Sequence, residues 1–369
     1  MAGGSGRVAI VGVGQTVHAR RRLDVDYAEL ALEAIDAALA DAGVALRDID
    51  HAVTAALDFV DGRTIASMST AEVVGSYLKP EGRICGDATG AVLYALAKMR
   101  SGHYRYGLVV AHAKESQGRH HDIENAAFDP FVSRRLGPDG DVVAGLAAQR
   151  YHAVSGTTPE DAAAAVVAAR AAGAGHPNRE ALPEVDVASV RAAAPLSTPL
   201  TELDKAPLTD GATALVVATE EAIEDLYLDA PPIWLAGAGL STGSYWSDRD
   251  LAATDTLEAA RDAAVRMAGW DGASADVVEL SAQYGFQVLQ FAPVLGAGEG
   301  GAPLNPSGGW LAGGAQVVSG LDRVVAAVEQ LRGTAGPRQV DGARRALAHG
   351  FHGLGAQTHG VVALERSDA

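Results

Sequence analysis

The sequence predicts an α/β protein made of two similar halves. Apolar, glycine-punctuated runs alternate with alanine-rich stretches of helical period. The same strand–helix–strand order returns in the second half of the chain. Hydrophobic residues make up 48% of the 369, with 43 glycines and only 5% aromatics, a composition that suits helices packed on sheets through small side chains. A chain of this length buries a substantial core.

VAIVGVGQT, Val8 to Thr16, reads as the first strand. A helix follows, YAELALEAIDAALADAG, with Asp26 as its N-cap, Glu29 at the capping-box position, Leu30, Ala34 and Ala38 on its buried stripe, and Gly43 at its end. HAVTAAL is the second strand. ICGDATGA, Ile84 to Ala91, then carries a strand end into a small-residue turn and the helix AVLYALAKM, and GLVVAHA is the next strand. The pattern recurs as the strand IWLAGAGL, the helix TLEAARDAAVRMAGWDG, the strand SADVVEL, the turn GGWLAGG, the helix LDRVVAAVEQLRG and the strand RRALAHG. The halves divide at 1–225 and 226–369. Between them an excursion of about 117–208, broken by Pro159, Pro177, Pro195 and Pro199, is long enough to form a cap over a site. Strands alternating with helices favour largely parallel sheets.

The net charge of −17 disfavours nucleic acid and anionic membranes as partners. One cysteine excludes an internal disulfide framework and a thiolate zinc cluster, and suits a reducing cytosol. The opening MAGGSGRVAIVGVG lacks the pattern of a signal peptide, and no stretch reaches the roughly 20 apolar residues of a membrane span. A cytoplasmic location is expected.

The turn in ICGDATGA sets a side chain over a helix N-terminus, where an anion or thiolate is stabilised. Asp87 holds that place and the lone Cys85 lies two residues upstream, directed along the strand and expected to be buried. Asp87, or Thr89 beside it, either caps the helix or serves as base.

VAIVGVGQT, KAPLTDGATALVVA, PLNPSGGWLAGG and EQLRGTAGPRQVDGARRALAHG, taken together, resemble the thiolase superfamily, and within it the sterol-carrier or lipid-transfer branch. The likeness runs in order from about Arg7 to Arg366. It implies a thiolase fold, a five-layered α/β/α/β/α sandwich of two duplicated halves, forming a homodimer and acting on acyl-CoA. The resemblance places Asp87 where these enzymes carry a nucleophilic cysteine, Ser281 where they carry His or Asn, Ala315 at the histidine of a G-H-P turn, and His349 near a second cysteine. It implies Ser281, Gly309, Gly314 and Ser319 as substrate-binding positions. Every thiolase catalytic position is altered.

Thiolysis requires a good nucleophile with a base beside it, and a carboxylate at a helix N-terminus is a weak one. Relatives that resemble the chain, the steroid side-chain aldolases, cleave a β-hydroxyacyl-CoA without an acyl-enzyme. The residues left for such chemistry are Asp87, Tyr284, His349 and His352. Tyr284 could serve as acid or base, or bond to backbone. The histidines lie in HGFHGLG, read as a glycine-rich loop open to ligand, with His349 also read as structural and His359 on the last strand. No metal is expected: neither His120-His121-Asp122 nor the spacing of His349, His352 and His359 is a zinc pattern, and GVGQT is no phosphate loop. No bound cofactor is expected beyond the CoA of the substrate.

The sequence thus points to a protein of acyl-CoA or carrier thioesters performing aldol-type carbon–carbon cleavage or formation. The alternatives are a non-catalytic subunit of a complex and a cysteine-independent acyltransferase of specialised metabolism. The expected partners are a second copy and, as the branch implies, a small OB-fold protein with a zinc ribbon.

Overall fold

A computed structural model describes residues 6–62, 65, 67–270 and 274–366. Part of the N-terminal stretch read for a leader, and the Asp271–Gly272 end of the helix reading, lie outside them. Strand β1 (Val8–Gln15) is an apolar run, and helix α1 (Tyr27–Ala42) follows with the expected signals in place. Asp26 accepts from the Ala28 and Glu29 N–H groups, Glu29 accepts from the Asp26 N–H at 2.8 Å, and Gly43 ends the helix at φ 66°. Such caps contribute about 1 kcal/mol.

The doubled glycines in the two halves have one physical reason. A Cβ on Gly12 or Gly14 of β1 would stand 2.2 Å from the Ala38 oxygen or 2.1 Å from that of Ala34. In β6 (Ile233–Thr242), a Cβ on Gly237 or Gly239 would stand 2.1 Å from Ala264 O or 2.0 Å from Ala260 O, in helix α6 (Asp255–Ala268). Each pair lets a helix backbone lie directly on a strand, and only glycine permits the approach.

The remaining strands of the large sheet are β2 (His51–Ala55), β3 (Glu81–Ile84), β4 (Tyr106–Lys114), β5 (Asp210–Thr219), β7 (Val277–Leu280), β8 (Arg345–His352) and β9 (Thr358–Arg366). Among the described residues they join in the order β3-β2-β4-β5-β1-β6-β9-β8-β7, the halves meeting where Ala9 and Ile10 pair with Trp234 and Ile233. Outward from the join, β1-β5-β4-β2 is repeated as β6-β9-β8-β7. The counterpart of β3 shrinks to a single bridge between Val278 and Leu304.

The sheet is mixed rather than largely parallel: only β3/β2, β2/β4 and β7/β8 run parallel. Burial on both faces makes the strands other than the edge strand β3 read as largely apolar runs, so the pattern does not report strand direction.

Helices α2 (Thr89–Met99) and α8 (Ser319–Arg332) are buried between the halves, in one core with β1, β4, β5, β6, β8 and β9. Helix α1 covers the outer face of the first half. Helices α5 (Pro159–Gly173), α6 and α7 (Gly285–Phe291) cover that of the second. These are the five layers of the thiolase fold. The long excursion contributes α5 together with α3 (His120–Ala126) and α4 (Gly140–Ser155). No helix among the described residues is long and apolar enough to cross a membrane.

Candidate functional site

Strand β3 ends at Ile84 and the turn delivers Asp87 to the N-terminus of α2, where it is 2% exposed. Its Oδ1 accepts from the Thr89 N–H at 2.9 Å and the Thr89 hydroxyl at 2.6 Å. Its Oδ2 accepts from the Gly320 N–H at 2.9 Å, in the first turn of α8. The carboxylate therefore lies between the N-termini of two buried helices, whose dipoles favour an anion. Burial opposes them and wins: desolvation lifts the Asp87 pKa to about 6, while the bonds from Thr89 and Gly320 pull it down. At neutral pH Asp87 is ionised yet more basic than an ordinary carboxylate. It holds the first N–H of α2, Ala88 occupying the N-cap position, and is also available as a base.

Asp87 lies in the wall of a cavity of about 280 Å³. His352, the last residue of β8, lines the same cavity and packs over Gly86, the residue before Asp87: a Cβ on Gly86 would stand 2.9 Å from the imidazole Cε1 and Nε2. Burial lowers the His352 pKa, so the ring is neutral at pH 7. Tyr284 faces the same cavity and its hydroxyl donates to Asp141, a carboxylate also paired with Lys205 at 2.7 Å. Burial first, and then Asp141, hold the Tyr284 pKa well above its ordinary value, leaving the phenol a donor. The excursion supplies the cavity's other side through Ile123 and Glu124 of α3 and Ala144 and Ala147 of α4.

His349 is placed differently. It lies within β8, opposite Val361, rather than in a loop, and is fully buried. Its Nε2 is 2.9 Å from His359 Nδ1 on β9, and Phe291 and Phe351 pack on its ring. Burial and the neighbouring His359 push its pKa well down. It stands behind the cavity wall.

Ser281 and Ser319 face each other, their hydroxyls 2.6 Å apart and both fully buried. Gly309 adopts φ 62° against the Asn305 side chain, and the Gly314 carbonyl accepts from the Trp310 indole at 3.0 Å. None of these four residues lines the cavity. Ala315 is in the central core, its carbonyl accepting from the Ser319 N–H at 2.8 Å. Cys85 corrects the expectation of a buried thiol: it is exposed and lines the cavity, because β3 ends one residue earlier and the turn swings its side chain outward.

Two acidic groups escaped the sequence reading. Glu124 lines the cavity with its pKa raised by burial, its Oε2 accepting from the Gly140 N–H at 2.8 Å. Glu115 is buried behind Gln316, whose N–H donates to its Oε1, and desolvation lifts its pKa to about 8. The local sequence around Glu115 and Glu124 shows neither the burial nor the convergence. Gln283, Gln287 and Gln290 add a polar stripe to the cavity, and their helical spacing in QYGFQVLQF was readable. Gln287 caps α7 through the Gln283 and Tyr284 N–H groups, and Gln290 holds the Leu251 carbonyl, so those two are tied to the scaffold.

The arrangement offers a base, a neutral imidazole and a phenol donor around a largely apolar space. Among the described residues of its wall, the exposed Cys85 thiol is the one conventional nucleophile.

Residues 237–366 match the model of the thiolase C-terminal domain-like family. The chain is 28% identical to the acetyl-CoA acetyltransferase of Methanothermobacter thermautotrophicus, over 94% of this chain and 97% of that one. It is 29% identical to sterol carrier protein 2 of Oryctolagus cuniculus, over 47% of this chain and 35% of the relative. Among solved structures, the Ltp2-ChsH2(DUF35) aldolase superposes with a TM-score of 0.80 at 22% identity, covering 98% of each chain, a likeness that shows the fold.

Proposed function

We propose that the chain, which belongs to the thiolase superfamily in its sterol-carrier and lipid-transfer branch, is a carbon–carbon lyase acting on a β-hydroxyacyl thioester without an acyl-enzyme. One observation carries the reading. The residue at the elbow is a buried carboxylate of pKa about 6, held between two helix N-termini, with a neutral histidine in the same cavity wall. A base poised near neutral pH suits abstraction of a hydroxyl proton.

Asp87 takes the proton of the β-hydroxyl. The Cα–Cβ bond breaks, its electron pair passes into the thioester as an enolate, and a proton returns to Cα. The products are an aldehyde or ketone and a shortened acyl thioester. His352 donates to the thioester oxygen as charge develops there, and Tyr284, fixed by Asp141, orients the acyl chain. No group beyond the substrate's own CoA takes part. The name of the aldolase with the same fold supports this chemistry, and its second named component supports a small partner protein for this chain. A homodimer is part of the proposal, supported by the edge strand β3 and by Phe59, Tyr77 and Leu78, exposed by 75%, 84% and 88%.

A second reading, a non-catalytic subunit that binds the thioester, is favoured by one feature. Asp87 already satisfies three donors within the fold. Incubation with β-hydroxyacyl-CoA, followed by mass analysis, separates the two. Release of a carbonyl compound and a shortened acyl-CoA supports the lyase. Binding without turnover, alone and with a partner, assigns the subunit role.

A further inference from the structure

We propose that a second cavity, sharing no lining residue with the first, is a binding site for a phosphate monoester. It lies where the C-terminal end of α5 meets the segment 174–185 and Ala312, and has a volume of about 510 Å³. That is the size of a small-molecule site and far more than a bare ion fills.

Two arginines on its wall are the reason. Arg179 is 8% exposed and fixed: its backbone bridges to His18, and its Nη1 donates to the carbonyls of Ser307 and Gly309 at 2.8 and 2.9 Å. Its Nε is buried without a partner. Arg170, in the last turn of α5, has a buried and unpartnered Nε as well, and makes no hydrogen bond or ion pair among the described residues. Burial lowers its pKa, and the one charged group acting on it is another cation, Arg20. An unpaired, part-buried guanidinium such as that of Arg170 is costly, and the free, buried Nε of Arg179 on the same wall adds a second donor for an anion.

The surroundings narrow its identity. Glu180 and Glu184 also border the cavity, but both are exposed, and the Glu180 carboxylate accepts from the Arg20 N–H at 2.7 Å. The negative end of α5 contributes only about half an elementary charge. Arg179 also feels Asp322 and Glu279 behind it, whereas no carboxylate acts on Arg170. With a buried, free Nε–H on each arginine, the wall favours a multiply charged anion over a single carboxylate. Guanidinium forks fit phosphoryl oxygens in pairs. His176 accepts the Asn178 N–H at its Nδ1 and is held neutral by burial, so its ring proton is on Nε2, as a donor. Val167 and Val185 form an apolar wall for the organic part of the ligand.

Calorimetric titration of the full chain with phenyl phosphate, inorganic phosphate and benzoate tests the site. Phenyl phosphate is expected to bind, with affinity falling as salt rises. Arg170→Ala is expected to weaken it about tenfold or more at an unchanged melting temperature, because Arg170 holds nothing within the fold. Tighter binding of phenyl phosphate than of inorganic phosphate assigns an organic monoester; equal binding assigns free phosphate. Either supports a phosphoryl site. No heat from either phosphate at millimolar concentration overturns the proposal, as does affinity untouched by Arg170→Ala, or benzoate binding as tightly as phenyl phosphate. None of these outcomes bears on the lyase reading.

Discussion

Gly350 lies so close to Asp87 that a Cβ on it would stand 2.0 Å from the carboxylate Oδ1. A Cβ on Gly320, from the other helix, would stand 2.1 Å from the same oxygen. The elbow carboxylate is thus held in a slot that only two glycines, one from β8 and one from α8, leave open. The carboxylate is 2% exposed and sits in a close cradle of backbone.

Gly350→Ala is expected to displace the Asp87 side chain and lower kcat/KM by about 10²-fold or more, since misplacing a catalytic group by an ångström has that effect. A loss of stability of about 1–3 kcal/mol should accompany it, as overpacking does. Thermal unfolding and steady-state kinetics on the same preparation check both. Unchanged kinetics in a folded variant would remove Asp87 from the reaction.

The pH profile follows from the raised Asp87 pKa. As base it must be ionised, so kcat/KM should rise about tenfold per pH unit below 6 and level off above it. Stability moves the other way. A carboxyl raised from 3.8 to about 6 on folding contributes stability that is fully present below pH 3.8 and lost as pH rises through 6. Asp87→Asn should abolish the rise and reduce turnover by about 10²–10⁴-fold.

Glu115 allows the same sign argument away from the reacting groups. Its pKa rises from 4.5 to about 8 in the fold, chiefly by desolvation, so the stability it contributes is lost between these values as pH increases. Glu115→Gln keeps an oxygen to accept from the Gln316 N–H and carries no charge. Its melting temperature is expected to exceed that of the unsubstituted protein above pH 8, by about 2 °C or more, and to lose that advantage at pH 5. Differential scanning at the two pH values decides it.

Much of the fold was legible because it is written locally. Asp26, Glu29 and Gly43 announce α1, and the repeated glycines of GVG and GAG announce the two halves. Strand direction was not legible, since strands buried on both faces look alike whichever way they run. The site divides in the same manner. Asp87 could be found from its turn, and His352 from its place in HGFHG, but the burial of His349 depends on β9 and α7 arriving from elsewhere. The exposure of Cys85 depends on where β3 stops. Glu115 and Glu124 acquire their character only when the excursion folds back over the elbow.

Cys85 is the residue that most directly threatens the account, being an exposed thiol in the cavity wall. Cys85→Ser is expected to retain turnover within about twofold, because no step passes through an acyl-enzyme. The decisive measurement is intact-protein mass analysis during turnover of a β-hydroxyacyl-CoA. The account requires carbonyl product and shortened acyl-CoA to form while the protein mass stays unchanged. An acyl adduct on Cys85 that forms and decays at the rate of turnover would contradict it.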